Sequence, residues 1–200
     1  MSTPLDPKKT TLLLLDLQNG FLQRLPPDTS ASVIDNAASA IAFARKNDIK
    51  LSYIRAALDE SEVEAIPDHS PAFANFKKSK EMIAAIHPDA PSTQIHPKLT
   101  PQAGDFVHRK IRYGAFMKTH SNSMLEDFAS RDIDTVIIGG VVTSGAVLSA
   151  VRQLADLDFQ LFVLDDCCAD HDAELHTVLC EKVFPSQARV IKSSELENLF

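Results

Sequence analysis

The sequence predicts a doubly wound α/β fold, a three-layer α/β/α sandwich with a six-stranded, mainly parallel sheet at its centre. Three observations carry that prediction. Six short apolar runs are rich in strand formers, stretches with helical spacing separate them, and the runs are apolar on nearly every residue rather than on alternate ones. Strands buried on both faces read this way, and covering both faces with crossover helices implies parallel pairing and right-handed connections.

The first run, TLLLLD at 11–16, ends on Asp16. Val33, Ala37, Ile41 and Ala44 follow at helical spacing. The second run, KLSYIRA at 50–56, leads into an irregular stretch from 59 to 70, and then Phe73, Phe76, Met82, Ile83 and Ile86 are spaced for a helix. A proline-rich segment, HPDAPSTQIHPKLTP at 87–101, precedes the third run, DFVHRK at 105–110. Met124, Leu125 and Phe128 mark the next helix, DTVIIGG at 134–140 the fourth strand, and Val147, Val151, Leu154 and Ala155 the helix behind it. FQLFVLD at 159–165 is the fifth strand, Leu175, Val178, Leu179 and Val183 a further helix, and ARVIKS at 188–193 the sixth strand. The two irregular pieces, 59–70 and 87–101, read as lids or partner surfaces, because long loops in a compact domain are often functional.

At 200 residues, 44% hydrophobic and 24% charged, the chain is expected to form one domain with a sizeable core. Its net charge of -7 comes with no basic run and few aromatics, which argues against nucleic acid or an anionic membrane surface and favours a small-molecule ligand. The N-terminal apolar stretch is a few residues long and is followed at once by Asp16, so it reads as neither a signal peptide nor a spanning helix, and a cytoplasmic location is expected. Three cysteines, two of them adjacent at Cys167 and Cys168, suit reduced thiols better than a disulfide framework or a zinc site.

In doubly wound folds ligands sit beyond the carboxyl ends of the strands. That rule selects Asp16, Arg55, Lys110, the segment 140–146 and the segment 165–168, and it predicts that Asp16, Lys110 and Ala146 converge on one pocket. GGVVTSGAVL at 139–148 reads as the end of a buried strand, a tight turn and the start of a helix, a place where hydrolytic enzymes mount a nucleophile; here that position is Ala146. A carboxylate ending a buried strand has either a raised pKa suited to proton transfer or a role capping the next turn. Lys110 lies in HRKIRYGAFMKT, which is either a solvated basic loop or the source of an ammonium beside Asp16. The Asp165 and Asp166 pair is expected to cap the turn after the fifth strand. Cys167 and Cys168 are candidate substitute thiols but read more simply as small core residues, as does Cys180.

LLLLDLQNGF, KIRYGAF with the Thr119 that follows it, GGVVTSGAVLSAVRQLADLDF and VLDDCCAD, taken together, resemble the isochorismatase-like branch of the cysteine hydrolase superfamily, which also holds nicotinamidases and carbamoylsarcosine amidases. The motifs run in order from the first strand to the fifth. The resemblance implies a catalytic Asp, Lys and Cys at Asp16, Lys110 and the position of Ala146, a non-proline cis peptide at Val141–Val142, and a homo-oligomer. Two departures matter. The nucleophilic thiol is replaced by Ala146, and the Asp-x-His metal pattern of nicotinamidases is missing, Asp68 and His69 being adjacent, so no zinc and no other cofactor are expected.

Isochorismatases also lack the cysteine, so the resemblance implies acid-catalysed vinyl ether hydrolysis of isochorismate or a related small acid, releasing pyruvate without a covalent intermediate. Asp16 is then the acid, and Lys110 holds a substrate oxygen or the water. Substrate contacts are expected from Gln18, Phe21, Arg55, Arg112, Tyr113, Phe116, Val142 and Gly145, with the two arginines as carboxylate clamps. Two alternatives stand beside this reading: a catalytically silent member that binds a small molecule or partner, and an amide or ester hydrolase acting through Asp-activated water.

Overall fold

In the computed structural model, described for residues 4–117 and 123–200, six strands form one sheet: β1 (Thr10–Leu15), β2 (Lys50–Ala56), β3 (Phe106–Lys110), β4 (Thr135–Val141), β5 (Gln160–Ala169) and β6 (Arg189–Ile191). Their order is β3-β2-β1-β4-β5-β6, and every pairing is parallel. Among the described residues seven α-helices connect them: α1 (Asn19–Leu22), α2 (Pro27–Lys46), α3 (Glu60–Glu64), α4 (Lys80–Ile86), α5 (Met124–Ala129), α6 (Leu148–Ala155) and α7 (Ala173–Val178). None of the described helices is long and apolar enough to cross a membrane.

The four consecutive leucines of β1 follow from its central place. Side chains alternate across a strand, so Leu12 and Leu14 enter one core with Val33, Ile34, Ala37 and Ala40 of α2. Leu13 and Leu15 enter the opposite core with Ala150, Val151 and Leu154 of α6 and with Phe128 of α5. A smaller third cluster forms where Leu58, Val63 and Ile66 meet Phe73, Phe76, Ile83 and Ile86. It sits beyond the carboxyl end of β2 and supplies the roof of the candidate site described below.

Several boundaries differ from those expected, each for a local reason. The helix expected across 73–86 is broken: residues Ala74–Lys78 form a 3-10 turn, and Ser79, in extended conformation, starts α4 by accepting a bond from the Met82 N–H at 3.2 Å. The irregular 59–70 stretch contains α3, begun by a capping box in which Asp59 accepts from the Glu62 N–H and Glu62 from the Asp59 N–H, each at 2.9 Å. β5 runs on to Ala169 instead of stopping at Asp165. Asp165 and Asp166 therefore do not cap the following turn: Asp165 pairs with Lys192 at 3.3 Å, and Asp166 accepts from the Ser193 N–H at 2.8 Å and its hydroxyl at 2.7 Å. Thr119 lies outside the described residues.

The chain builds β1, β2 and β3 outward in one direction, then returns to place β4 against the other side of β1. The crevice where the order reverses, between the carboxyl ends of β1 and β4, is where such sheets bind ligands. The close approach there depends on Gly140, whose φ is +150°. A Cβ at Gly140 would sit 2.3 Å from the Leu15 carbonyl oxygen. Gly140→Ala is therefore expected to cost at least about 3 kcal/mol, read as a lowered urea midpoint with an unchanged m-value.

Candidate active site at the carboxyl edge of the sheet

β1 ends at Leu15, and the next residue turns sharply. Asp16 takes a positive φ of +52°, its N–H still bonded to the Ile54 carbonyl at 2.8 Å while its own carbonyl accepts from the Gln18 N–H at 2.7 Å. This swings the carboxylate off the strand and into the crevice. Lys110, the last residue of β3, meets it there, with Nζ 2.8 Å from Asp16 Oδ2. The same ammonium donates to the Tyr113 carbonyl at 3.0 Å. Both side chains are buried, at 6% and 3% exposure, so little water screens their interaction.

The two carboxylate oxygens of Asp16 have different fates. Oδ2 accepts from Lys110, whereas Oδ1 is sealed from solvent and has no hydrogen-bond partner among the described residues. An ionised carboxylate with an unpartnered buried oxygen is costly. Burial accordingly pushes the Asp16 carboxyl above its ordinary range and outweighs Lys110, which acts in the opposite direction. Lys110 on Oδ2 therefore offsets part of the cost of burying the carboxyl, and Oδ1 is left without a partner among the described residues.

Around this pair lies a cavity of about 290 Å³. Phe21, Phe73, Phe76, Ile86, Tyr113 and Val142 supply its apolar walls, and Gly145 and Ala146 its floor beside Asp16. Its charged lining comprises Asp16 with Lys110, Arg24 and Arg112. Of the residues expected to contact substrate, Gln18, Phe21, Arg112, Tyr113, Val142 and Gly145 are brought together here; Arg55 and Phe116 are not. Arg55 donates to the Pro88 and Thr93 carbonyls at 2.8 and 3.2 Å, clamping the proline-rich segment. Phe116 packs against Phe128 in the second core, with ring centroids 6.0 Å apart. Gln18, though at the cavity, spends its amide on the fold, since Nε2 donates to the Ala56 and Thr93 carbonyls and Oε1 accepts from the Ala56 N–H. A larger open groove of about 900 Å³ beside α3 and α4 has no buried charged or polar residue in its lining and carries no comparable chemistry.

The turn that carries Ala146 is held from two sides. It follows a cis peptide at Val141–Val142 and forms one π-helical turn, Thr143–Val147. Asp170 accepts the Ser144 N–H at 2.7 Å, and the buried Thr143 hydroxyl meets Nδ1 of His176 at 2.8 Å. The Gly145 N–H is already bonded to the Val142 carbonyl at 3.1 Å, so it is not an open donor for substrate. No thiol replaces the missing nucleophile in the cavity lining. Cys167 and Cys168 are buried in the two main cores, and burial drives both thiols far above their ordinary range; Cys180 is raised to about 11. Thiols held neutral in this way are poor nucleophiles. Among the described residues no group of three or more His, Cys, Asp and Glu is placed to hold a metal ion.

Residues 10–195 match the isochorismatase domain model. The chain belongs to the isochorismatase family. A probable isochorismatase of Pseudomonas chlororaphis is 27% identical over 195 residues, covering 96% of this chain and 86% of that protein. The ureidoacrylate amidohydrolase RutB of Klebsiella pneumoniae is 31% identical over 184 residues, covering 84% and 75%. Among solved structures, a cysteine hydrolase from Pseudomonas syringae superposes with a TM-score of 0.82 at 19% identity, over 100% of this chain and 97% of that one, which supports the fold. The chain is thus an isochorismatase-family hydrolase with the family's α/β architecture.

Sequence reasoning missed Arg24, Phe73 and Phe76 as cavity residues. Arg24 falls just past α1, within reach of the rule that placed Asp16, whereas the two phenylalanines arrive through tertiary packing and left only a helical period behind. The brace from Asp170 is testable. Burial alone would raise its carboxyl, but bonds from Ser144, Asp172 and His171 hold it below its ordinary value. Its stabilising contribution is therefore present above the unfolded-state pKa and lost as pH falls through the folded-state value. Asp170→Asn is expected to cost about 1–2 kcal/mol at pH 7, with the difference from wild type shrinking in urea titrations repeated toward pH 3.

Proposed function

We propose that this protein hydrolyses the vinyl ether of isochorismate, or of a closely related small enolpyruvyl acid, with Asp16 as the proton donor. The observation that carries the reading is the buried Asp16 carboxyl, with its raised pKa, in the lining of a cavity that contains no thiol among the described residues. Cleaving a vinyl ether requires a proton at the terminal methylene carbon, and the Asp16 carboxyl delivers it. The resulting oxocarbenium is attacked by water, whose proton returns to the Asp16 carboxylate. The hemiketal then collapses: its hydroxyl oxygen becomes the ketone of pyruvate, the C–O bond to the ring breaks, and the hydroxyl proton passes to the departing ring oxygen to give the alcohol. Every atom is accounted for without an acyl-enzyme, so a methyl group at Ala146 costs the reaction nothing and leaves space beside the acid.

Lys110 serves this sequence in two ways. It keeps Asp16 oriented in the ground state, and it stabilises the carboxylate that forms once the proton has left. Arg112, whose guanidinium lies 5.0 Å over the Phe73 ring, is the candidate partner for the enolpyruvyl carboxylate. Phe21, Phe73 and Tyr113 offer apolar surface to the carbocycle and help exclude bulk water.

The test is a coupled pyruvate assay with isochorismate, run on the wild type and on Asp16→Asn. Wild type is expected to release pyruvate, and the variant to lose at least about 10²-fold in kcat while still unfolding cooperatively. Undiminished turnover in the variant removes Asp16 from the mechanism, and ammonia from an amide substrate without pyruvate from isochorismate replaces this reading with amide hydrolysis. The pH dependence follows from the same group. The protonated form is the active one and its pKa is raised, so kcat is expected to hold on the acid side and fall tenfold per pH unit above that pKa. Stability shares the sign: the folded state binds this proton more tightly than the unfolded chain, so its contribution declines as pH rises from the ordinary carboxylate pKa through the folded value.

A further inference from the structure

Arg24 stands at the cavity with an unspent charge. Its neighbours Leu22 and Leu25 are buried, at 2% and 4% exposure, which anchors the backbone on either side, while Arg24 itself is exposed. Among the described residues its side chain makes no ion pair. Its guanidinium carbon lies 5.9 Å from the centre of the Phe21 ring, another cavity residue. The other two cations of the lining are already engaged: Lys110 by Asp16 and the Tyr113 carbonyl, Arg112 by the Phe73 face and the Ile111 carbonyl at 2.7 Å.

The count of charges points to the ligand. The lining has three cations against one carboxylate, in a protein with 20 Lys and Arg against 27 Asp and Glu. A single substrate carboxylate at Arg112 leaves Arg24 unmatched. A guanidinium resting against an aromatic ring presents its donor edge outward, in the fork geometry that matches a carboxylate with two parallel hydrogen bonds.

We propose that Arg24 is the specificity-determining residue of this site, binding the second carboxylate of a ring-bearing dicarboxylic acid whose reacting end lies at Asp16 and Lys110. The inference rests on the reading of the cavity as the substrate site, and it deepens that reading by naming the residue that takes the second of the two carboxylates such a substrate carries. Acids that carry only the carboxylate near the reacting bond then bind more weakly, because they gain no contact with Arg24, which stays hydrated.

The experiment is isothermal titration of the full chain with two unreactive probes, isophthalate and benzoate, at low ionic strength. Wild type is expected to bind isophthalate about tenfold more tightly than benzoate, the usual scale for one charge-assisted bidentate contact. In Arg24→Gln the ratio falls below about two, and in Arg112→Gln both affinities drop while the ratio persists. Added salt compresses the wild-type ratio, as expected for a partly exposed charge contact. The proposal is overturned if Arg24→Gln keeps the ratio, if Arg112→Gln alone abolishes it, or if wild type shows no preference for isophthalate. Because the ratio is read without turnover, it fails or succeeds separately from the pyruvate assay: an Arg24-dependent preference with no pyruvate keeps the dicarboxylate site and discards the vinyl ether chemistry.

Discussion

The buried contact between Asp16 and Lys110 is the constraint around which the carboxyl edge of the sheet is arranged. The two residues end strands that are not neighbours, since β2 lies between β1 and β3. Adjacent strands stand about 4.8 Å apart, so the charges must meet across roughly 10 Å of sheet. A lysine is long enough for that crossing, and the residue it passes is Ala56, the register partner of Lys110 at the end of β2. A small side chain at that position keeps the route open. Ala56 ends its strand with an N–H and a carbonyl that both need partners, and the Gln18 amide takes both, at 2.7 and 2.8 Å. One buried contact therefore accounts for three further features: a short side chain at Ala56, a buried glutamine two residues past the acid, and an Asp16 turned through a positive φ.

The same constraint explains what could be read from the amino-acid order and what could not. The strands were legible because burial on both faces writes itself as continuous apolar sequence, and the rule that ligands sit at carboxyl edges then selected Asp16, Lys110 and Ala146 without knowledge of any contact. Arg55 illustrates the limit of that rule. It is one residue from the end of β2, yet its side chain leaves for the 88–93 segment, a partner that sequence separation hides. Asp165 and Asp166 looked like the end of a strand because two carboxylates rarely continue one; the strand continues because Lys192 and Ser193, more than two dozen residues later, satisfy them. Such errors share a cause. Each depends on a polar partner supplied by tertiary structure, and polar pairing leaves no periodic trace.

Cavity walls divide along the same line. Phe21 and Tyr113 sit close in sequence to Asp16 and Lys110 and reach the cavity with them, whereas Phe116, also near Lys110, turns into the second core. Phe73 and Phe76 come from a segment whose helical spacing was visible but whose destination was not; they roof the site because Leu58, Val63 and Ile66 give them a small core of their own. The α3 capping box, Asp59 through Glu62, was available in the sequence as an acidic residue three positions before a glutamate, a pattern with a known physical meaning.

The turn bearing Ala146 bears on the chemistry in a way that a list of missing groups does not. If the turn had only been a mount for a nucleophile, nothing would hold it once the nucleophile was replaced. Here the Ser144 N–H is taken by Asp170 and the Thr143 hydroxyl by His176, so the backbone leading into the floor is tied to the segment after β5 and to α7. The product of that bracing is a fixed wall of Val142, Gly145 and Ala146 opposite the acid. Gly145 lets the wall come close, because a Cβ there would meet Val142 at 3.1 Å and the Tyr113 ring at 3.5 Å. A braced, uncharged floor beside a buried carboxyl of raised pKa suits the proposed reaction, whose developing charge is a cation on the substrate. Proton delivery to carbon requires that the acid and its target be held at one distance, and shape alone can do that where no bond to the protein ever forms.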